Sequence, residues 1–294
     1  MHTSILNTLE ALQLTSNETK EIYSNFTRDK ELIVWRDRIS HVIFIDGYYV
    51  GDEVYTNGGY HKDLLTCSHI KKSEQPSIDN ERRFKQFLNM IKDSQIADFG
   101  CGDGKFLMKA KQVSQSVLGV ELQTSHINHL RKADIPCHNS LDGIPDHSLD
   151  TCFMFHVFEH LPDPLQTLLD IRCKLKNGGN IVIEVPHARD FLLEGLKLAA
   201  FKEFTLWSQH LILHTRVSLH RILHLAGYIN ISVDPFQRYP LSNHFNWLSH
   251  GKPGVKDALF ESFDNPDLLQ SYSDVMADLD MTDTLIATAQ VPNC

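Results

Sequence analysis

A chain of 294 residues, 42% of them hydrophobic, has room for one large core, or for one core and a smaller domain. Its net charge of -9 argues against a nucleic-acid groove, because neutralising phosphates takes clustered Lys and Arg, and so favours a small-molecule or glycan substrate. Six scattered cysteines (Cys67, Cys101, Cys137, Cys152, Cys173, Cys294) form no CxxC pair, which gives neither a thiolate zinc site nor a disulfide framework. Met1 to Leu6 lack the basic and long apolar regions of a signal peptide, and no stretch approaches 18 uninterrupted apolar residues, so the expectation is a soluble, cytoplasmic protein with no membrane span.

In chain order, Leu6, Leu9 and Leu12 share a helical face, and Ile22, Phe26, Leu32, Ile33, Trp35 and Ile39 continue an amphipathic pattern, which predicts a helical N-terminal cap. An aromatic and glycine-rich loop follows, Asp46-Gly47-Tyr48-Tyr49-Val50-Gly51 and Asn57-Gly58-Gly59-Tyr60-His61, suited to closing over a site. Cap and loop together make up residues 1–80, and residues 81–294 the main domain. Phe84, Phe87, Leu88 and Ile91 repeat at helical spacing and lead into a strand that ends at Ile96-Ala97. From there strands 116–121, 135–138, 150–155 and 181–185 alternate with helical patterns at Ile127 and Leu130 and at 164–175, as in a parallel sheet with crossover helices. Residues 191–201 read as a separate apolar helix, and Leu219, Ile222, Leu223 and Ala226 as a crossover helix stopped by Gly227. Residues 229–233 and 284–289 supply two last strands. The fold class is α/β.

The stretch that organises this plan is Asp98-Phe99-Gly100-Cys101-Gly102-Asp103-Gly104, a strand end and glycine turn before the helical pattern Phe106, Leu107, Ala110. Without Cβ atoms the turn can take positive φ, let a ligand approach the backbone and expose the first amides of the helix. The spacing differs from the GxGxxG of dinucleotide folds, and an acid at Asp98 repels a pyrophosphate while suiting an ammonium or sulfonium group. Downstream, Val117-Leu118-Gly119-Val120 ends in Glu121, placed at the next strand's carboxyl end, where an acid can accept both hydroxyls of a ribose.

These segments resemble the first two motifs of class I S-adenosylmethionine (SAM) dependent methyltransferases. The resemblance implies a Rossmann-like, mostly parallel seven-stranded sheet of order 3-2-1-4-5-7-6 with helices on both faces, its last strand antiparallel beside the fifth. It implies SAM as cofactor, lined by Asp98, Gly100, Cys101, Gly102, Gly104, Glu121, Leu122, Asn139, Ser140 and His156. Asn139 and Ser140 stand near the family's acidic adenine-side position, with Asp142 close enough in sequence to substitute.

Phe155-His156-Val157-Phe158-Glu159-His160-Leu161-Pro162-Asp163-Pro164 resembles a segment common in small-molecule methyltransferases, including quinone-biosynthesis O-methyltransferases that carry an acid where this chain has His156. Helical geometry over 156–160 would put His156, Glu159 and His160 on one face, which permits a general base or a divalent-metal site. With the acid missing, no metal is assigned. Trp207, Gln209, His210 and His214 resemble a Trp and His stretch of methyltransferases acting on sugars, lipids and secondary metabolites. A second polar and aromatic cluster, Arg238 to Leu248, lies between the last two strands, and segments 186–216 and 234–275 are expected to form a lid.

The expected reaction is in-line displacement at the sulfonium methyl, towards a small-molecule or sugar acceptor, with His156, His160 and His210 as candidate bases and no nucleic-acid partner. The alternatives are a catalytically silent SAM-binding or scaffold protein and, disfavoured by the glycine spacing, an NAD-dependent oxidoreductase.

Overall fold

The computed structural model describes residues 4–58, 75–255 and 257–293. Helix Ile5–Ala11 starts at Ser4, whose side chain accepts from the Asn7 amide, and buries Ile5, Leu9 and Leu12 against the main core. The expected helical cap ends there. Lys20–Ser24 (β1), Val34–Asp37 (β2) and Ile43–Phe44 (β3) instead form an antiparallel sheet. Four of the six apolar residues whose spacing suggested a helix face are on the surface, Ile22 at 53%, Phe26 at 60%, Ile33 at 46% and Ile39 at 76% exposure, while Leu32 and Trp35 are half-buried. Burial falls on Val34, Ile43, Phe44 and Ile45, β-branched and aromatic residues that fit a pleated surface.

The main domain follows the expected alternation. Gln95–Phe99 (β4), Ser116–Val120 (β5), Cys137–His138 (β6), Leu149–Phe155 (β7) and Leu175–Pro186 (β8) are parallel. Ile212–Leu213 (β9) leaves this sheet and pairs with β3, completing the four-stranded N-terminal sheet. Ile229–Phe236 (β10) and Thr284–Gln290 (β11) close the large one, β11 running antiparallel between β8 and β10. The order among the described residues is β6-β5-β4-β7-β8-β11-β10, the order expected from the resemblance.

Strand β7 explains why this sheet is covered on both sides. Cys152 and Met154 point into the core formed with helices Pro164–Lys174 and Arg216–Leu225, and Phe153 and Phe155 into the one formed with Phe87, Phe106, Ile127 and Leu130. Both covering helices start on local signals. Asp163 accepts from the Gln166 amide ahead of Pro164, and Thr215 forms a capping box with Ser218.

The apolar helix expected over 191–201 is split into a π turn, Phe191–Gly195, and a helix, Ala199–Thr205. Beyond β10 the chain forms helices Leu241–His250, Ala258–Glu261 and Pro266–Asp278 before returning through β11. Of the aromatic loop, Gly59, Tyr60 and His61 lie outside the described residues, and Asp52–Thr56 is a short helix. No helix among the described residues is long and apolar enough to cross a membrane.

Candidate active site

Asp98, the penultimate residue of strand β4, is 3% exposed and paired in register with Gly119 of β5. The three glycines that follow all have left-handed backbone, with φ of 74° at Gly100, 54° at Gly102 and 71° at Gly104. A Cβ on Gly100 would overlap Val157 and one on Gly104 would overlap Leu130, whereas one on Gly102 would meet no protein atom within 4 Å. The outer glycines therefore serve packing, and the middle one leaves the backbone open to close approach. Glu121, just past β5, turns its carboxylate onto this loop, accepting from the Gly102 amide at 2.8 Å and from the Gln123 amide at 2.8 Å.

Burial pushes the Asp98 carboxyl up to about 8, against the opposing pull of Arg83 and with a further push from Glu121. A cation placed beside Asp98 would favour its ionised form, so the residues present fit a ligand with a sulfonium and an ammonium group. Leu122 and Cys101 are half-buried at the same end of the sheet. Asn139 is exposed beyond β6, and Ser140 starts a 3-10 turn in which its hydroxyl accepts from the Asp142 amide and donates to the Asp142 carboxylate. Asp98, the glycine turn and Glu121 thus converge at the carboxyl ends of β4 and β5, with Asn139 and Ser140 alongside.

The expected helical face of His156, Glu159 and His160 is not formed. Phe158–His160 is a 3-10 turn, and His156 precedes it with a φ of 56°. The His156 amide donates to the Glu184 carbonyl at 2.8 Å. Its ring lies between two carboxylates, Nδ1 3.5 Å from Glu159 Oε1 and Nε2 3.3 Å from Glu184 Oε1. His210 takes the third place, its ligand atom grouped with those of Glu159 and His160, all within 4.8 Å of one another. His160 Nδ1 meets the Gln209 carbonyl at 2.8 Å and His210 Nδ1 the Thr205 carbonyl at 3.2 Å. A carbonyl only accepts, so both Nδ1 atoms carry the proton and both Nε2 atoms carry the lone pair.

Burial lowers His160 below the usual histidine range and, helped by the His160 charge, lowers His210 to about 3. Burial works against ionisation of Glu159, but His156, His160 and His210 outweigh it and hold that carboxyl at about 2. Two neutral imidazoles beside one carboxylate can accept a proton from a substrate. The same donor types also suit a divalent cation. His214 serves the fold, buried against Phe158 with Nδ1 on the Ser218 hydroxyl.

Sequence reasoning missed the charged group between these two ends. Glu184 is fully buried and receives Arg82 Nη2 at 2.8 Å and Arg83 Nη2 at 2.6 Å. Burial opposes its charge, yet His156 and Arg83 hold the carboxyl well below its ordinary range. Arg238 donates to Asp79 at 2.9 Å nearby, and the Arg82 and Arg83 guanidiniums lie over Phe236 and Phe155. The available signal was one acid inside the apolar run Ile181-Val182-Ile183-Glu184-Val185, since a charge is seldom buried there without partners.

A parallel sheet with antiparallel β11, a glycine turn open at Gly102 and an acid closing each of the first two strands define a SAM-dependent methyltransferase. The chain belongs to the methyltransferase domain family, which matches residues 78–233. A SAM dependent methyltransferase from Archaeoglobus fulgidus shares the fold, with a TM-score of 0.51 and 20% identity over 73% of this chain and 93% of that one.

Among curated proteins, the chain is 31% identical over 122 residues to a tRNA U34 carboxymethyltransferase of Campylobacter fetus, covering 38% of this chain and 43% of that protein. It is 27% identical over 177 residues to the enzyme of that name from Aliarcobacter butzleri, covering 53% and 56%. The chain thus spans about half the length of the curated relatives it matches.

These relatives overturn the expected small-molecule or sugar acceptor and the exclusion of nucleic acid. The inference from net charge failed because a sum over the whole chain says nothing of where the cations stand. Lys20 lies over Trp35, Lys30 over Tyr48 and Arg28 over Trp207, on or beside the N-terminal sheet.

Proposed function

We propose that the acceptor of this methyltransferase is tRNA, with uridine 34 as the modified residue. The similarity to enzymes named for that substrate carries the reading. SAM supplies an activated methyl group on a sulfonium. With that cofactor bound, Asp98 would hold its cationic end, the turn at Gly100, Cys101, Gly102 and Gly104 would admit it close to the backbone, and Glu121 would accept the ribose hydroxyls. Leu122, Asn139 and Ser140 would hold the adenine side, and His156 the methionine end.

On the acceptor side, His160 or His210 takes the proton at Nε2, and Glu159 stabilises the imidazolium so formed. Residues 4–58 and the segments 186–216 and 234–255 wall the acceptor site beside the methyltransferase domain, and the protein works in the cytoplasm.

The test incubates the protein with radiolabelled SAM and bulk tRNA, then digests the tRNA and weighs the labelled nucleoside, so that a methyl is told from the carboxymethyl group named for the relatives. Label in uridine 34 supports the reading. Unlabelled tRNA from a protein that still binds S-adenosylhomocysteine overturns it.

A separate expectation concerns Glu121→Ala. Charge-assisted hydrogen bonds contribute roughly 1.5 to 3 kcal/mol each, so the variant should bind S-adenosylhomocysteine about tenfold or more weakly by calorimetry while remaining folded by circular dichroism. An unchanged dissociation constant would remove Glu121 from the ribose site.

A further inference from the structure

Two thiols meet inside the cofactor loop. Cys101 stands between Gly100 and Gly102, and Cys137 opens β6, two strands away from β4 in the sheet. Gly119 of the intervening β5 lets them approach, because the place its Cβ would fill lies 2.7 Å from Cys101 Sγ and 3.1 Å from Cys137 Sγ. Both cysteines are reduced, and the Cys137 thiol donates to the His138 carbonyl at 3.9 Å. Arg131 lies beside the pair, its guanidinium donating to the Cys137 carbonyl at 2.8 Å. The neighbouring Cys101 thiol and the Arg131 cation draw the Cys137 thiol below its usual range, although burial opposes them, which favours the nucleophilic thiolate.

We propose that Cys101 and Cys137 form a reversible disulfide that shuts the cofactor site under oxidation. With a peroxide as oxidant, one thiol becomes a sulfenic acid and releases a water. The other sulfur then displaces the hydroxyl as a second water, so the two protons and two electrons lost by the thiols end in the two waters. An S–S bond of about 2.0 Å must pull Cys101 towards β6. The Cys101 amide is held on the Val120 carbonyl and the next amide, that of Gly102, on Glu121, so this pull distorts the turn that receives the cofactor. The proposal rests on the placement of the cofactor at this turn and is independent of what the acceptor is.

The experiment treats the full-length protein with hydrogen peroxide, maps non-reduced peptides by mass spectrometry, and measures S-adenosylhomocysteine affinity before oxidation, after it, and after dithiothreitol. A peptide linked through Cys101 and Cys137 is expected, with binding weakened about tenfold or more, as for the loss of a charge-assisted hydrogen bond to the loop, and restored by the reductant. Cys137→Ser should bind as the parent does and ignore peroxide. Absence of the linked peptide, or a linked protein with unchanged affinity, overturns the switch. Reduced protein that does not bind S-adenosylhomocysteine would instead overturn the cofactor site, whatever the cysteines do.

Discussion

His160→Ala is expected to keep S-adenosylhomocysteine affinity and lose about 100-fold to 10,000-fold in turnover, the usual contribution of a positioned proton acceptor. The expectation rests on tautomer and charge. The Gln209 carbonyl fixes the proton on Nδ1, and burial keeps the ring neutral at neutral pH, so Nε2 carries the lone pair a base needs. The sign of the pH dependence follows. Because this histidine lies below its ordinary 6.5, the rate should stay level as pH falls through that value and decline only further down, when the imidazole protonates. His210→Ala is the matched control. If turnover, cofactor affinity and melting temperature fall together in His160→Ala, the ring braces the loop and is not the base.

The second large effect is on stability. Glu184→Ala leaves the Arg82 and Arg83 guanidiniums, 19% and 11% exposed, without their shared counter-charge. Removing one partner of a buried ion pair typically costs about 3–5 kcal/mol, to be read from urea unfolding. Since the folded carboxyl lies well below 4.5, its contribution is complete above that pH and is lost as pH falls towards the folded value, so the parent should be acid-labile in a range where the variant no longer changes. An unchanged urea midpoint would mean that both arginines relax into solvent, and would remove Glu184 as the anchor of His156.

The parallel sheet and the cofactor turn were legible because their chemistry is local. A glycine at every second position after a buried strand, and an acid closing the next strand, need only a few consecutive residues to be recognised. The N-terminal sheet was not legible, because β1 to β3 acquire their burial from β9, some 170 residues downstream, and their outward apolar residues imitate a helical stripe. The pairing of Glu159 and His160 with His210 was hidden for the same reason. Each lay in a segment already singled out, but spacing along one segment selected His156 as the partner, and only the chain reversal at Trp207 to Leu211 brings His210 across. Glu184 was overlooked because its neighbours mark a strand, and the arginines that answer its charge lie a hundred residues earlier.

The strand pairing of β3 with β9 bears on how this enzyme can diverge. Ile43 and Phe44 are laced to Leu213 and Ile212, and Trp207 to His210 lie immediately before them in the chain. Arg28, from the turn between β1 and β2, reaches across to stack on Trp207. This edge of the molecule is therefore written jointly in two stretches of the gene that recombination readily separates. A segment over 207–213 borrowed from a related enzyme would arrive without the strand it docks on, so this edge accommodates point substitution within both stretches more readily than exchange of either one.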